Sequence, residues 1–566
     1  MDSMKFCSPS RLLAALLAAA LLTGCSNPLI PPTEEPPAAT VSGSVSIGLA
    51  APLSGAYLFT TAWGDCEGDA DIRELIFGGD TVVPTGEGTF AINPAQVSSV
   101  TQTEEPNGDR TYLFTLNTGL CYNDGTPITA QDYVFSILLQ SSPEFASLDG
   151  AGNSLYQHLV GWPAFSSGES GVFSGVHLLS DTQFSMTIDG GFLPDYHELS
   201  LIRVQPLPMA VLAPGASLTE DGGAGWSGVT ADGLAGTILG ENGYRYHPSV
   251  TAGPYSLTAV SDGSVQLTAN PYYTGAYTTI VPSIETLNIT SIEGNLPDGM
   301  GDYDLLCSLS GAEEVGHAVT AASRDKELQT FFYNSAEVTA LLVGESLPVN
   351  ERQGLAAVLN QDRLTDRIAG RYGSPVTGLV PTGAAATQNW YSDLQRFSAQ
   401  WDDLTLAEIL LGDGMPSWTL LYPEDDNRAE ILAEEVSRMA GESGLVEITP
   451  EALSREEVVA RQLSGDYDLL YFSEALPAGY APWKGPEQLG DGELARMAED
   501  LCHTSGGLGY RYDEEWLRYQ QQYQQELPAL AICGYERCDL VSPELEGYTS
   551  VTAWADWTTA ILSAVK

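Results

Sequence analysis

Carboxylates dominate the side chains able to do chemistry, with 74 Asp and Glu set against 23 Lys and Arg for a formal net charge of −51. A polyanion is excluded as the natural partner because its phosphates would be repelled, so no nucleic acid is expected. The acidic excess either favours a cationic ligand or only keeps a solvated surface soluble. Carboxylates this abundant single out no acid–base pair. The sequence has no GxSxG elbow, no HExxH and no glycine-rich phosphate loop, which argues against a secreted hydrolase. Its six histidines are scattered, none at ligand spacing from a cysteine pair, so neither a zinc site nor a cofactor is expected.

Cysteine supplies the other reactive group. Cys25 closes the run Leu22, Thr23, Gly24, Cys25, which follows basic Lys5 and Arg11 and an apolar stretch from Leu12 to Leu22. That stretch is shorter than the roughly 20 residues that span a bilayer. A basic start, a short apolar core and small residues at the cut site describe a secretory signal. The last four residues resemble the bacterial lipobox, in which cleavage leaves the cysteine first and acylated. Residues 1–24 are thus expected to be a lipoprotein signal peptide and 25–40, with five prolines, a lipidated, extended tether. Two or more acyl chains anchor stably at roughly 0.8 kcal/mol per buried methylene. Six further cysteines follow: Cys66, Cys121, Cys307, Cys502, Cys533 and Cys538. An even number permits disulfides in an oxidising compartment, with connectivity not readable. Cys533 and Cys538 flank Gly534, Tyr535, Glu536 and Arg537 between apolar runs, which reads as a hairpin closed by a cross-strand bridge.

The elements that would position a site follow from local patterns. With 566 residues and 43% apolar content, two or three packed lobes are expected. Asp109 to Asn117 alternates like a half-buried strand. Asn123, Asp124 and Gly125 then supply a turn, and Thr129 with Asp132 a capping box. The helix after them carries Tyr133, Val134, Ile137 and Leu138 on one face. Further on, Glu351–Ile368 and Asn427–Met439 read as helices, while Leu445–Thr449 and Tyr467–Phe472 read as extended segments. Glu514–Gln524 is a polar, aromatic helix before the apolar strand Leu527–Ile532. Alternation of this kind favours α/β lobes with largely parallel sheets.

In this order the pieces resemble the family 5 extracellular solute-binding proteins of ABC importers, the oligopeptide, dipeptide and nickel binders. The run Tyr112 to Asp132 (YLFTLNTGLCYNDGTPITAQD) is close to that family's signature. Ala252–Tyr255 (AGPY) with Asn270–Tyr273 (NPYY) is similar to its strand pair, and Arg352–Arg363 (RQGLAAVLNQDR) to one of its helices. Gly465–Leu470 (GDYDLL), with Leu527 and Pro528, completes the match. The local reading of each motif is scaffolding: Gly125 and Pro127 shape a turn, and Arg352 and Arg363 would pair with Asp362 or Asp366.

The resemblance implies an α/β, two-lobed, periplasmic-binding-protein-like fold (class II, large type) with an extra subdomain in lobe one. Lobe one would be 41–287 with an inserted subdomain at about 71–178, lobe two 288–525, and 526–566 a return to lobe one. It implies a protein that is not an enzyme, a monomer on the outer face of the membrane, that hands a peptide-like or other small polar solute to ABC permease subunits. A ligand-sensing lipoprotein with the same clamp is the alternative. Peptide-binding members carry W-x-A-D-Y-x-D-P, whose first Asp holds the peptide amine. Here the run is Glu474 to Pro482 (EALPAGYAP), in which Gly479 stands at that Asp and Tyr480 matches. Either Glu474 replaces the carboxylate or the ligand is not a free-amine peptide. Tyr57, Phe59 and Trp63 read equally as cleft walls or as core.

Overall fold

The computed structural model describes residues 41–566 apart from 59–66, 87, 149–154, 262, 277, 279, 381–392, 394–397, 477–491, 506–508 and 550. The signal, the tether and Cys25 lie outside the described residues. Eleven strands share one sheet: β1 (Ser42–Leu49), β2 (Tyr255–Ser261), β3 (Ser264–Ala269), β4 (Ile284–Ser291), β5 (Leu305–Ser310), β6 (Gln329–Val343), β7 (Gly373–Pro375), β8 (Ser417–Pro423), β9 (Glu447–Leu453), β10 (Leu469–Ala475) and β11 (Ala529–Val541). Their order is β2-β3-β4-β1-β5-β11-β6-β10-β8-β9, with β7 also bonded to β11. The helices that matter here are α1 (Glu67–Ile76), α2 (Ala130–Ser141), α3 (Gly311–Arg324), α4 (Val349–Val358), α5 (Gln361–Ala369), α6 (Asn427–Ser443), α7 (Glu493–Cys502), α8 (Gly509–Glu526) and α9 (Trp557–Ala560). None of the described helices is long and apolar enough to cross a membrane.

Two halves of this sheet carry separate cores. In one, β1 is parallel to β4 and β5, and its inward Val45, Ile47 and Leu49 pack with Ile72 and Leu75 of α1 and Trp557 of α9. In the other, β8 is parallel to β9 and β10. There Leu420, Leu469 and Leu432 fill one face, and Leu470, Trp516 and Tyr523 the other. Strands β6 and β11 join the halves. Phe331 and Tyr333 of β6 belong with the first core, whereas Val338, Ala340 and Leu342 of the same strand belong with the second. The two strands pair antiparallel from Gln329↔Val541 to Leu342↔Ala529, with a break between Asn334 and Val338. This irregularity leaves Ser335 to Glu337 opposite Tyr535, and bulges of this kind gather beside functional sites because they re-aim side chains.

The sequence limit at 287/288 falls inside β4, whose pairing with β1 continues to Ser291, and β5 then adds to the same half. Residues 529–534 run beside β6 in the other half. A further core, from Val82 to Ala252, is built on the four-stranded sheet 97–104, 110–116, 183–188 and 176–180, while α1 packs with the first core.

The strand at 109–117 forms as Arg110–Leu116, and Gly125 takes φ +83 in the turn after it. The Thr129 N–H then donates to the Asp132 carboxylate at 2.9 Å at the start of α2. Gly253 is needed for close approach: its N–H donates to the Ile76 carbonyl at 3.0 Å, and a Cβ there would lie 2.4 Å from the Ile76 carbonyl carbon.

Three expectations need correction. The helix at 351–368 is two helices, broken where the Asn360 side chain accepts from the Arg363 N–H and caps α5. Arg352 donates to the carbonyls of Leu347 at 2.7 Å and Glu526 at 3.2 Å, while Arg363 pairs with Glu435 at 2.6 Å and Glu442 at 3.1 Å. Asp362 and Asp366 hold neither. Cys533 and Cys538 do not flank a hairpin, for both lie in the one strand β11 as free, buried thiols. Five steps along a strand separate them by about 16 Å, against the roughly 7 Å limit between the Cα atoms of a disulfide.

Candidate functional site

In open α/β sheets ligands bind beyond the carboxyl ends of parallel strands, where the strand order switches direction. Here those ends converge on the middle of β6 and β11. Beyond β1 comes α1, which opens on Glu67; β5 ends at Ser310 and α3 opens on Gly311; β8 ends at Pro423 and α6 opens on Asn427; β10 ends at Ala475. Helix amino termini also point unpaired N–H groups at whatever lies there.

A chain of paired charges, buried at Glu337 and Arg537, runs along this floor. Arg537 of β11 donates through Nη2 to Glu337 of β6 at 2.9 Å, and through Nη1 it pairs with Glu67, the first residue of α1. Glu337 also meets Arg428, the second residue of α6, at 3.0 Å, and accepts from the Ser473 hydroxyl of β10 at 2.9 Å. Thr339 bonds both Ser473 at 2.7 Å and the Tyr535 hydroxyl at 2.6 Å. The Arg428 guanidinium lies 4.9 Å from the centre of the Tyr535 ring, a cation–π contact. Acid and base alternate along the chain Glu67, Arg537, Glu337, Arg428, so the buried pair Arg537 and Glu337 is partnered on both sides. That is what burial demands, because an unpaired ion costs several kcal/mol in the interior.

The electrostatics follow from the pairing. Burial alone would raise the Glu337 carboxyl, but Arg428 and Arg537 outweigh it and bring its pKa down to about 2. Burial would likewise discharge Arg537, and Glu67 and Glu337 keep it charged. Glu314, on the first turn of α3, is different. Its carboxylate accepts the Ser310 N–H at 2.8 Å, and burial pushes its pKa up to about 7. Behind the floor, burial raises Asp539 to about 7 against the Tyr548 hydroxyl bond. Among the described residues no group of three or more His, Cys, Asp or Glu side chains is placed to hold a metal ion.

Of the ligand residues expected from sequence, Phe59, Trp63, Gly479 and Tyr480 lie outside the described residues. Tyr57 is fully buried in the first core, and its N–H donates to the Arg245 carbonyl at 2.8 Å. Glu474 is not a loop residue. It is the penultimate residue of β10, opposite Val338 of β6 and next to Ser473. Its carboxylate is exposed, yet the protein around it desolvates it enough to raise its pKa. Sequence reasoning missed Glu67, Glu337, Arg428, Ser473 and Arg537. The available signal was charge within two otherwise apolar strands, Glu337 alone in QTFFYNSAEVTALLV and Arg537 between Glu536 and Asp539 in ALAICGYERCDLV.

Comparison with known proteins places this arrangement. Residues 94–482 match a family model described as bacterial extracellular solute-binding proteins, family 5 middle. No curated protein matches the chain in sequence. Among solved structures, the oligopeptide-binding protein AppA of Bacillus subtilis, in complex with a nonapeptide, superposes with a TM-score of 0.66. It is 15% identical, and the match covers 93% of this chain and 99% of AppA. Lactococcal OppA, complexed with an endogenous peptide in the closed conformation, gives a TM-score of 0.68 at 14% identity over 92% of this chain and 99% of OppA. The PBP AgaA from A. tumefaciens R10, in complex with agropinic acid, gives 0.62 at 14% identity over 92% of this chain and 98% of AgaA. The fold is thus the α/β, two-lobed, periplasmic-binding-protein-like one.

The pairing generates two expectations. Arg537→Met leaves Glu337 short of a partner, and removing one member of a buried pair costs about 3–5 kcal/mol. Urea unfolding measures it, and a loss below about 1 kcal/mol on the same scale would show the pair to be idle. The second concerns pH. Glu314 and Asp539 titrate near 7 when folded, against 4.5 for a free Glu and 3.8 for a free Asp. His158 and His197, lowered by burial from 6.5 to about 4, offset this below about pH 6.5, so the folded protein binds its excess protons above that point and stability falls as pH rises from about 6.5 to 8. Glu337, held at about 2, acts oppositely: its contribution is complete above the ordinary Glu value and is lost on acidification below about pH 4. The urea midpoint is expected to fall between about pH 6.5 and 8, and a midpoint that climbs steadily over that range would contradict this assignment.

Proposed function

The chain belongs to the bacterial extracellular solute-binding proteins of family 5, and from that premise we propose that it captures a peptide-like or other small polar solute between its lobes for delivery to an ABC permease. Its family is one of binding proteins rather than enzymes, and its place is outside the cytoplasm. The observation that carries the reading is the family match over residues 94–482 on a fold whose strand ends and helix starts converge at one floor. A lobe boundary within β6 and β11 agrees with that geometry better than one at 288, since both strands enter both cores. Solute bridging the lobes would stabilise the closed form, giving the permease a shape to read. The bound molecules of the relatives, two peptides and agropinic acid, support a small polar solute and do not narrow it further.

At the site we assign Glu474 as a candidate for an ammonium group of the solute, being the described carboxylate nearest to the run where peptide binders carry Asp. Its neighbour in β10, Ser473, bonds the floor at Glu337. At the membrane, Cys25 would carry the lipid that tethers the protein as a monomer to the outer face.

Mass spectrometry of the solute that co-purifies identifies the probe. Returned to solute-free protein at a hundredfold excess over its Kd, that compound is expected to stabilise the fold by about 2.7 kcal/mol. If it carries a free amine, Glu474→Ala is expected to weaken binding tenfold or more by calorimetry. Unaltered affinity removes Glu474 from the site, and the absence of any stabilising solute contradicts the binding role. For the anchor, Cys25→Ser is expected to release the protein into the medium or to block cleavage of the signal. A variant that is normally processed and fully membrane-bound would refute lipidation at Cys25.

A further inference from the structure

Apart from the crossing strands, two aromatic side chains of the β1 half reach into the core of the β8 half. Tyr196 lies between the helical turn Gly190–Phe192 and the short helix Glu198–Leu201, and its neighbours Leu193 and Leu199 pack with the subdomain core. Its own ring packs instead against the core of α7, α8, β6 and β10. There it is stacked on Tyr512 of α8, with centroids 3.6 Å apart and planes 3° from parallel. The Tyr196 N–H donates to the carbonyl of Cys502, the last residue of α7, at 2.9 Å. Beside it His197 meets the Tyr512 ring edge-on at 6.0 Å, and its Nε2 lies 3.4 Å from the Tyr512 hydroxyl.

The second side chain is Trp554, which precedes α9 of the β1 half. Its ring also packs against the α7–α8 core, and its Nε1–H donates to the Leu476 carbonyl, just past β10, at 3.2 Å. Gly88 makes room for it, since a Cβ there would lie 2.5 Å from the indole ring. Both contacts have the same build: one aromatic ring from the β1 side, one hydrogen bond to a backbone carbonyl on the β8 side. They are small beside the cores they join. Contacts between domains of one chain that are small and polar default to relative motion, while stacked aromatic rings add attraction beyond the area they bury.

We propose that Tyr196 and Trp554 form a latch that holds the two lobes closed before any solute binds. Latching makes the closed arrangement a populated state of the free protein, so less of the solute's binding energy goes into closure. The inference rests on the two-lobed clamp read above and needs no particular solute, so a failed search for solute leaves it standing.

Small-angle X-ray scattering of the full chain, produced without lipidation and freed of solute, tests it. The unaltered protein is expected to give the radius of gyration of the closed arrangement. Tyr196→Ala combined with Trp554→Phe is expected to shift it to a larger value with the melting temperature unchanged. Tyr196→Phe, which keeps the ring, is expected to stay closed. Should the double variant fail to fold, Tyr196→Ser alone, at a half-buried loop position, replaces it with the same expectation. An unaltered protein that is already open overturns the latch. So does a double variant of unchanged radius, whatever its melting temperature, or a Tyr196→Phe variant as open as the alanine one.

Discussion

The contact between Arg537 and Glu337, 2.9 Å long and buried where the two crossing strands meet, is the constraint on which the rest of the arrangement turns. Among the described residues β6 and β11 carry the sheet from one lobe to the other, and this pair sits at their shared irregularity. A guanidinium and a carboxylate taken out of water must find partners, and those partners come from three different elements. Glu67 brings in the start of α1, Arg428 the start of α6, and Ser473 the end of β10. A buried ion pair is weak support for stability in itself. Its effect here is geometric, because it ties the starts of two helices from opposite lobes to one point between them.

That geometry gives the cleft its chemistry. Glu337 stays ionised through the physiological range because Arg428 and Arg537 outweigh its burial. Glu314 shares the floor with its pKa raised to about 7, so it is a carboxylate whose charge a cationic group nearby would favour. The floor thus combines settled charges that fix the backbone with one acid whose state answers to its surroundings. The aromatic contacts of Tyr196 and Trp554 join the two halves from outside this floor, and the proposed latch would bias how the lobes rest about the crossing strands.

Much of the fold was legible because its signals are local. The strand at Arg110–Leu116, the Gly125 turn and the Thr129–Asp132 cap lie within about thirty residues and need nothing distant. The break at Asn360 was legible in principle, since Asn is a strong capping residue, but the apolar stripe running from Leu355 to Ile368 masks it. The segment around Cys533–Cys538 misled for a different reason. A glycine between two cysteines suggests a turn, yet Ile532, Cys533 and Tyr535 and then Cys538 and Leu540 are all buried, as one long central strand requires. The site itself was hidden. Glu337 and Arg537 are 200 residues apart in sequence, and nothing near either one reveals the register that brings them together. Tyr57 shows the converse, for an aromatic near a strand end fits a cleft wall or a core equally well, and it proves to be core.

The most direct test of the account is a crystal structure of the protein with its co-purifying solute bound. The solute is expected between the lobes, beyond the ends of β1, β5, β8 and β10, with contacts to at least one residue from each side of the Arg537–Glu337 pair. A solute held by one lobe alone, or bound away from that floor, would contradict it.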